Sequence, residues 1–423
     1  MSLIDQITYN VSPGPLYETE RGLPSAPPAD PKVRLIAYYL PQFHRIAEND
    51  LWWGPGFTEW TNVTKAIPRY RGHYQPRLPA DLGFYDLSNV GTIEAQVALA
   101  KRAGIHGFCI HDYWFGGKKL LQTPLELIIS NPQIDIPFCI NWANENWTRR
   151  WDGAEHEILM AQNHSPQDDI DYARSLLPAM RDRRYIRING RPLLMLYRPG
   201  ILPDASATVR RWRKFFQEEG CGDPFVVMPQ TFGDQDPRLF GMDAACGFPP
   251  HKVGLVHNRA SNLPWFGPHF SGEAKSYAEM MQTEIASRDD DYRYFPGVCP
   301  SWDNEARKPN RGYGFYGSTP DLYASWLNNA AEFALARGTP DEALVFINAW
   351  NEWGEGAYLE PDRHYGYAYL AATRRALDSV DGGQPLGPAG TREPGRYAHH
   401  SLNPSKINKL RNIISRRLNY WGA

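Results

Sequence analysis

The sequence has few cysteines, little net charge and no long apolar run. Its five cysteines are scattered singly along 423 residues, which argues against a disulfide framework and against a zinc site. The formal net charge of −2 provides no overall field that would favour nucleic acid. No stretch approaches the roughly 18 apolar residues of a membrane span, and the N-terminus lacks the regions of a signal peptide. We therefore expect a reduced, cytoplasmic protein.

Motifs that bind metals or cofactors are also missing. No glycine-rich nucleotide loop follows the first apolar run, and no P-loop, nucleophile elbow or zinc-protease motif occurs. His44, His106, His111 and Asp112 do not have the spacing of a metal site. The sequence thus predicts neither a metal nor a cofactor.

Aromatic residues, in contrast, are abundant: they make up 13% of the chain and include 14 Trp and 23 Tyr. Flat rings with a polar edge suit ligands that are partly apolar and partly polar. Sugars are such ligands, because a pyranose has an apolar C–H face and a rim of hydroxyl groups. A well-packed aromatic core explains the composition equally well, since Trp and Tyr are usually well buried.

Short apolar runs alternate with helical patterns along most of the chain. This alternation predicts parallel strands joined by right-handed crossovers, and eight runs fit an α/β fold, the (β/α)8 or TIM barrel, with long loops. A doubly wound sheet would need a nucleotide-type glycine loop and is disfavoured. The runs are 34–40, 107–113, 137–143, 192–197, 224–230, 244–248, 296–302 and 344–350. Helices are predicted over 91–102, 169–184, 206–219 and 320–337.

The two ends of the chain differ from this repeating pattern. Residues 1–31 are rich in proline and polar residues and predict an extended arm ahead of a catalytic domain at 32–377. Residues 378–423 begin as a Gly/Pro-rich linker and end in a basic segment with apolar residues at helical spacing. Such a tail either docks on the barrel or lies on an anionic membrane surface, which would make the protein peripheral to the inner membrane.

Two glutamates, Glu352 and Glu355, follow the eighth apolar run in the segment NAWNEWGEG. Residues just after the strands of a barrel line its active site. If the pair lies in a turn or in a first helical turn, both carboxyls share one face and reach the same sugar. Retaining glycosidases hold such a pair about 5–5.5 Å apart, and inverting ones about 6.5–9.5 Å. A solvated helix start would show the same pattern, since acids favour first turns.

Aromatic, amide and acidic residues follow the other runs as well and are candidates for binding a sugar. Packed aromatic loops are the alternative interpretation. Glu145 is in addition an alternative acid, with Glu352 as the nucleophile. The candidate substrate-binding residues are Tyr39, Gln42, His44, Trp52, Trp53, Glu59, Trp60, His111, Asp112, Tyr113, Trp114, Asn141, Trp142, Asn144, Glu145, Trp147, Tyr197, Gln230, Trp302, Asn348, Trp350, Asn351 and Trp353.

Several of these segments together resemble the WbsX family, whose members occur with O-antigen and other surface-polysaccharide loci. The segments are YYLPQFH, WWGPGFTEW, HYQPRLPADLGFYDL, GFCIHDYWF, NWANENWTRRWDG and AWNEWGEGAYLEPD, and the resemblance covers about residues 33–375. Members of this family are similar to the endo-mannosidases of glycoside hydrolase family 99. The resemblance implies a (β/α)8 barrel and a metal-free hydrolase that retains the anomeric configuration.

The resemblance also implies a role for each glutamate. In family 99 the first glutamate of a Glu-x-x-Glu segment takes the proton of the sugar's 2-hydroxyl, which attacks the anomeric carbon to give a 1,2-anhydro sugar. The second glutamate protonates the leaving oxygen and then activates water. By this resemblance Glu352 is the 2-hydroxyl base and Glu355 the acid/base. The endo-mannosidases have His where Gly354 stands here, a departure that concerns the sugar more than the mechanism.

Three functions are consistent with the sequence. The main hypothesis is an endo-acting glycoside hydrolase for a bacterial surface polysaccharide of the O-antigen or lipopolysaccharide type. The alternative is a glycosyltransferase in the assembly of that polysaccharide, a label that family members carry from their gene neighbourhood. The third is a carbohydrate-binding barrel without catalytic activity. Each predicts a polysaccharide or oligosaccharide as the partner, and none predicts nucleic acid.

Overall fold

The structure is a computed structural model of the chain. It describes residues 2–149, 154–259, 263–266, 270–288 and 291–386. The predicted basic segment at 406–423 lies outside these residues. Within them, no helix combines the length and the hydrophobicity that crossing a bilayer requires.

Eight strand positions form the barrel in chain order. Nine parallel strand segments make a nearly closed sheet, and the two at its ends, Tyr294–Phe295 and Gly297–Val298, are separated by Pro296. These two segments form one strand position, which pairs with the sixth strand on one side and with the eighth on the other. The strands are β1 Arg34–Tyr39, β2 Ile105–Phe115, β3 Phe138–Trp142, β4 Arg191–Leu196, β5 Phe225–Pro229, β6 Ala244–Cys246, β7 Tyr294–Phe295 with Gly297–Val298, and β8 Leu344–Ile347. The predicted barrel is confirmed, and each predicted run overlaps one strand.

Helices connect the strands and cover the outside of the barrel. The helix Pro320–Arg337 has the predicted bounds and begins after Thr319, whose side chain accepts a hydrogen bond from the amide of Leu322. The predicted helix at 169–184 is instead Pro166–Ser175 followed by the short Leu177–Met180, because Pro178 has no amide hydrogen to continue the first helix. The other helices are Leu3–Asn10, Ala47–Trp53, Trp60–Val63, Val90–Ala103, Thr123–Ser130, Ala205–Glu218, Tyr277–Ala286 and Ala368–Val380.

The N-terminal segment differs from the predicted extended arm. Leu3–Asn10 is helical, because Ser2 and Asp5 form a capping box that satisfies amide groups of its first turn. Farther along, the segment is bound to the outer face of the barrel by Arg102, which pairs with Glu20 at 2.5 Å and donates to the carbonyl of Leu23 at 3.2 Å. A helix of only eight residues is too short to show a helical period in the sequence.

Short strand pairs extend the loops around the barrel. They are Lys118–Leu120 on β2, Arg187–Ile188 on β4, Trp147–Arg149 with Ala154–Met160, Glu273–Ser276 with Tyr313–Tyr316, and Asn351–Glu352 with Ala357–Tyr358. The last pair follows β8 and carries the two glutamates of the Glu-x-x-Glu segment.

The interior of the barrel is filled by side chains that alternate along each strand. Tyr38 on β1 points inward: its hydroxyl lies 3.4 Å from Cys246 Sγ, and its ring packs on Phe248 and Phe346. All five cysteines are free and buried. The rings of Tyr38, Phe248 and Phe346 form an aromatic layer just below the mouth, where the C-terminal ends of the strands meet.

Candidate active site

Glu352 and Glu355 lie on a tight hairpin after β8. Asn351–Glu352 pairs antiparallel with Ala357–Tyr358, and the 3-10 turn Trp353–Glu355 connects them. The sequence predicted a turn or a first helical turn at this position, and the structure has the turn. The side chain of Glu352 is 6% exposed and that of Glu355 is 31% exposed, so Glu355 is the carboxyl that solvent reaches.

The hairpin is fixed from two sides. The amide of Asn351 exchanges two hydrogen bonds with the backbone of Leu40 after β1, at 2.8 and 3.0 Å. Gly356 has φ +61°, and an added Cβ would lie 2.8 Å from the guanidinium carbon of Arg77, so both its conformation and its surroundings require glycine. Arg77 in turn donates to the carbonyl of Gly356 at 2.8 Å and to Ser301 Oγ at 2.7 Å.

One arginine, Arg307, binds both glutamates. Its Nη2 lies 2.9 Å from Glu352 Oε1 and its Nη1 lies 2.9 Å from Glu355 Oε1. Its Nε lies 3.0 Å from Oε1 of a third carboxylate, Glu59. Because the three nitrogens belong to one planar group, the three carboxylates must converge. Sequence reasoning did not select Arg307; the available signal was its position in the loop after β7.

The electrostatics of the cluster act on Glu352 in opposite directions. The pKa of Glu352 is raised to about 8: burial is the largest cause, the charges of Glu355 and Glu59 act in the same direction, and Arg307 opposes them. Burial lowers the pKa of Arg307, but the three carboxylates outweigh it and raise it well above its usual value. Arg307 is therefore a permanent cation beside a carboxyl whose pKa is raised.

Gly354 makes room for this cluster. A Cβ at position 354 would overlap Glu59 Oε1 and would lie 2.9 Å from Arg307 Nε. The space that a side chain would need is thus filled by the Glu59–Arg307 pair. This accounts for glycine at position 354.

Gln42 connects the cluster to the neighbouring wall of the mouth. Its Oε1 accepts from Arg307 Nη2 at 3.0 Å, and its Nε2 donates to the hydroxyl of Tyr113 at 3.0 Å. On the other side, Trp302 stacks on Tyr313 with ring centroids 4.1 Å apart. The indole nitrogen of Trp302 donates to Glu355 Oε2 at 3.3 Å, which orients that carboxyl.

The loop after β7 also supports the backbone of Glu355. The amide of Asp303 donates to the carbonyl of Glu355 at 2.6 Å. Asp303 Oδ2 lies 2.6 Å from His73 Nε2 and accepts from Gln75 Nε2 at 3.0 Å. Burial raises the pKa of Asp303, but His73 and Arg77 outweigh it and lower the pKa to about 2. This buried carboxylate is therefore charged and holds the loop against the hairpin that carries the two glutamates.

Aromatic and amide side chains continue across the mouth from Tyr113. The ring of His111 lies 6.5 Å from that of Tyr113 and 6.3 Å from that of Tyr197. Burial lowers the pKa of His111 to about 3, and the charge of Arg307 acts in the same direction, so the imidazole is neutral. Asn141 is the register partner of His111 on β3 and is fully buried.

The loop after β3 forms another part of the wall. Trp147 packs 5.1 Å from Tyr113 and 5.8 Å from Trp52, which is half-buried. Glu145 pairs with Arg198 at 2.6 Å, and Asn144 exchanges hydrogen bonds with the backbone of Arg198. Glu145 is thus bound to a different arginine from Glu352, and this arrangement does not support the alternative in which the two act as a pair.

Strand alternation separates the predicted site residues into two groups. His111 and Tyr113 face the mouth, whereas their neighbours on β2 face the helices, as Trp114 shows by donating to Asp168 at 2.8 Å. Trp142 likewise stacks on Tyr172, 4.5 Å away on the outside. The residues that pack or brace the fold instead of facing the glutamates are Tyr39, Trp60, Asp112, Trp114, Trp142, Trp350, Asn351 and Trp353.

Four further candidates are buried or make contacts elsewhere in the fold. His44 is buried, which lowers its pKa. Trp53 packs on Phe57 with centroids 5.9 Å apart. Gln230 donates to the hydroxyl of Tyr292 at 2.6 Å, and Asn348 donates to the carbonyl of Pro249 at 2.7 Å. Across the residues that the structure describes, no three His, Cys, Asp or Glu side chains are grouped as metal ligands.

The family model described as Glycosyltransferase WbsX matches residues 35–373. The chain belongs to the WbsX family. Proteins named WxcX from two strains of Xanthomonas campestris pv. campestris are 44% identical over 343 residues, which cover 81% of this chain and 49% of each relative. This WbsX-family chain therefore spans about half the length of the curated relatives it matches.

Solved structures share the barrel of this WbsX-family chain. A glycoside hydrolase-like protein has a TM-score of 0.53 at 15% identity, with 89% of this chain and 99% of that chain covered. A GH99 endo-α-mannosidase from Bacteroides thetaiotaomicron has a TM-score of 0.50 at 14% identity, with 82% and 97% covered. At these identities the likeness is one of fold alone.

Proposed function

We propose that the protein is an endo-acting glycoside hydrolase that cleaves a bacterial surface polysaccharide of the O-antigen or lipopolysaccharide type with retention of configuration. The observation that carries the proposal is the convergence of Glu352 and Glu355 on the guanidinium of Arg307. Two carboxyls held on one cation at the mouth of a barrel can serve one sugar, one at its 2-hydroxyl and the other at its glycosidic oxygen.

In the first step of this proposal, Glu352 takes the proton of the 2-hydroxyl and the 2-oxygen attacks the anomeric carbon. The bond from that carbon to the leaving oxygen breaks, and Glu355 gives the leaving oxygen its proton. In the second step, water attacks the anomeric carbon and the bond from that carbon to the 2-oxygen breaks; Glu355 takes a proton from the water, and Glu352 returns its proton to the 2-oxygen. The greater exposure of Glu355 suits the residue that must meet water.

In this mechanism Arg307 stabilises the ionised form of Glu352. Glu352 must be ionised to accept a proton, and its raised pKa makes that form costly in the free protein. Arg307, 2.9 Å away, stabilises the carboxylate when it forms. Trp302 holds Glu355 from the opposite side through its indole hydrogen bond.

Turnover of polysaccharide tests the proposal. The protein is incubated with surface polysaccharide extracted from the cell that encodes it, and fragments are sought by mass spectrometry. Glu355→Gln is expected to lower the rate about 10²–10⁴-fold, since a general acid/base is lost. Glu94→Gln, which changes an exposed glutamate on the helix Val90–Ala103, is the matched control. Full activity of Glu355→Gln would reject its role.

A glycosyltransferase is the second candidate, because the WbsX family is described as a glycosyltransferase family. It would transfer a sugar from a nucleotide-sugar donor to the growing polysaccharide. Calorimetry with nucleoside-diphosphate sugars, with and without Mn²⁺, separates the two functions. Donor binding together with an extended product favours transfer, and shortened fragments without donor binding favour hydrolysis.

A further inference from the structure

Phe232, in the loop after β5, is an exposed aromatic residue in a left-handed backbone conformation. It is 53% exposed and has φ +49°. A bulky residue rarely adopts this conformation, and a large apolar ring gains little stability in solvent. Among the described residues, the other non-glycine residues with positive φ are Leu121, which is buried, and the asparagines Asn189 and Asn310, which tolerate it. Burial in the core therefore does not explain the backbone conformation of Phe232.

The ring of Phe232 is held from one face. The guanidinium of Arg198 lies 4.0 Å from its centroid, within the range of a cation–π contact. Glu145 fixes that guanidinium at 2.6 Å, and Asn144 fixes the backbone of Arg198. The ring of His251 supports Phe232 at 4.8 Å and 69°. Arg198 thus covers one face of the ring, and the residue remains 53% exposed.

A continuous row of side chains connects Phe232 with the glutamates. The ring of Tyr197 lies 6.4 Å from Phe232 and 6.3 Å from His111, and His111 lies 6.5 Å from Tyr113. Tyr113 accepts from Gln42, which accepts from Arg307. In a ring of eight strands, β5 lies opposite β1, the strand that precedes Gln42. The row therefore crosses the mouth and is longer than one sugar ring.

We propose that Phe232, backed by Arg198, is a distal subsite that stacks on the apolar C–H face of a sugar several units from the cleaved bond. The ion pair of Arg198 with Glu145 leaves the platform without a free charge, which suits an uncharged sugar face. The inference rests on the proposed function and specifies its substrate: a chain bound across the mouth. A ligand of one or two sugars at the glutamates does not reach this ring.

Binding of fragments of different length tests the subsite. Surface polysaccharide from the encoding cell is cut by mild acid and sorted into short and long oligosaccharides, and binding is measured by calorimetry in the Glu355→Gln protein, which does not consume them. Phe232→Asn removes the ring and suits the left-handed backbone, whereas Phe232→Tyr keeps the ring. Phe84→Asn is the control, because Phe84 is 50% exposed and packs on Trp60.

Phe232→Asn is expected to weaken binding of long fragments about two- to ten-fold, the range of an aromatic stacking contact. Binding of fragments of one or two sugars should not change, and Phe232→Tyr and Phe84→Asn should bind as the parent does. Equal losses for short and long fragments, unchanged binding of long fragments, or no binding of any fragment by the parent overturns the subsite. A length-dependent loss without cleavage by the wild type would keep the subsite and reject the hydrolase. Cleavage without a length-dependent loss would keep the hydrolase and reject the subsite.

Discussion

Arg307 Nη2 and Glu352 Oε1 lie 2.9 Å apart in a place nearly closed to solvent. The contact opposes the effects of burial and of two neighbouring carboxylates on the same carboxyl. The ionisation of Glu352 therefore depends on a single guanidinium, and that dependence can be measured in several ways.

The pH dependence of turnover should report the ionisation of Glu352. As a base Glu352 works when ionised, and as an acid Glu355 works when protonated, so kcat/KM should be limited by two ionisations, and the one that belongs to Glu352 should lie near 8. The measurement is kcat/KM on the polysaccharide from pH 5 to 10. The absence of an inflection near 8 would contradict the raised pKa of Glu352.

Stability should respond to the same group without any substrate. The pKa of this carboxyl is higher in the folded state than in the unfolded state. Its contribution to the free energy of unfolding is therefore fully present below the unfolded pKa, near 4.5, and is lost as pH rises to about 8. Urea unfolding at a series of pH values should show this decline in the wild type and a smaller decline in Glu352→Gln. Parallel curves for the two proteins would contradict the raised pKa.

Replacing Arg307 should affect both stability and the pH profile. Arg307→Met leaves buried carboxylates without their cation, and we expect a loss of about 3–5 kcal/mol in the free energy of unfolding. The inflection in kcat/KM should move to higher pH, because the residue that lowers the pKa of Glu352 is gone; Arg307→Lys should move it less. Arg174→Met, at an exposed ion pair with Asp171, is the control and should cost about 0–1 kcal/mol. An unmoved inflection in Arg307→Met would contradict the assigned role.

A side chain at position 354 should disturb the cluster. Gly354→Ala places a Cβ against Glu59 and Arg307, and overpacking of this kind costs about 1–3 kcal/mol. Combining it with Glu59→Ala removes one of the two overlaps. The double variant should therefore lose less free energy of unfolding than the sum of the losses of the two single variants. Gly254→Ala, where a Cβ meets nothing within 4 Å, is the control. Additive losses would show that the two positions are independent.

Asp303 should make the protein sensitive to acid. Its folded pKa of about 2 is below the ordinary aspartate value. Its contribution to the free energy of unfolding is therefore present above about pH 4 and is lost as pH falls toward 2. The shift corresponds to about 2 kcal/mol at neutral pH. Unfolding curves of Asp303→Asn between pH 2 and 6 should lack this part of the wild-type decline. Asp135→Asn is the control, since Asp135 pairs with Lys101 at an exposed position.

The fold could be predicted because its signal is local. Each strand of a parallel barrel is buried on both faces and appears in the sequence as a short apolar run. The pair of glutamates followed from the same signal, since it stands just after the last run. The choice between Tyr38 and Tyr39, or between Asn141 and Trp142, could not be made, because a run that is apolar throughout does not show which residues face the interior.

The rest of the site depends on contacts between distant parts of the chain. Arg307 meets Glu59 across 248 positions, and neither residue stands in a pattern that indicates the other. The proposed stacking role of Phe232 depends on its backbone conformation and on its contact with Arg198. The sequence displays neither feature. Glu145 could be selected as a candidate from its loop, but the sequence does not display its ion pair with Arg198.

The two hydrogen bonds between Asn351 and Leu40 connect the last strand of the barrel to the first. The hairpin with both glutamates is therefore assembled when the ends of the ring meet. A chain still emerging from the ribosome, with seven strands made, lacks both glutamates. The proposed activity toward glycans would thus be acquired only after the eighth strand has been made.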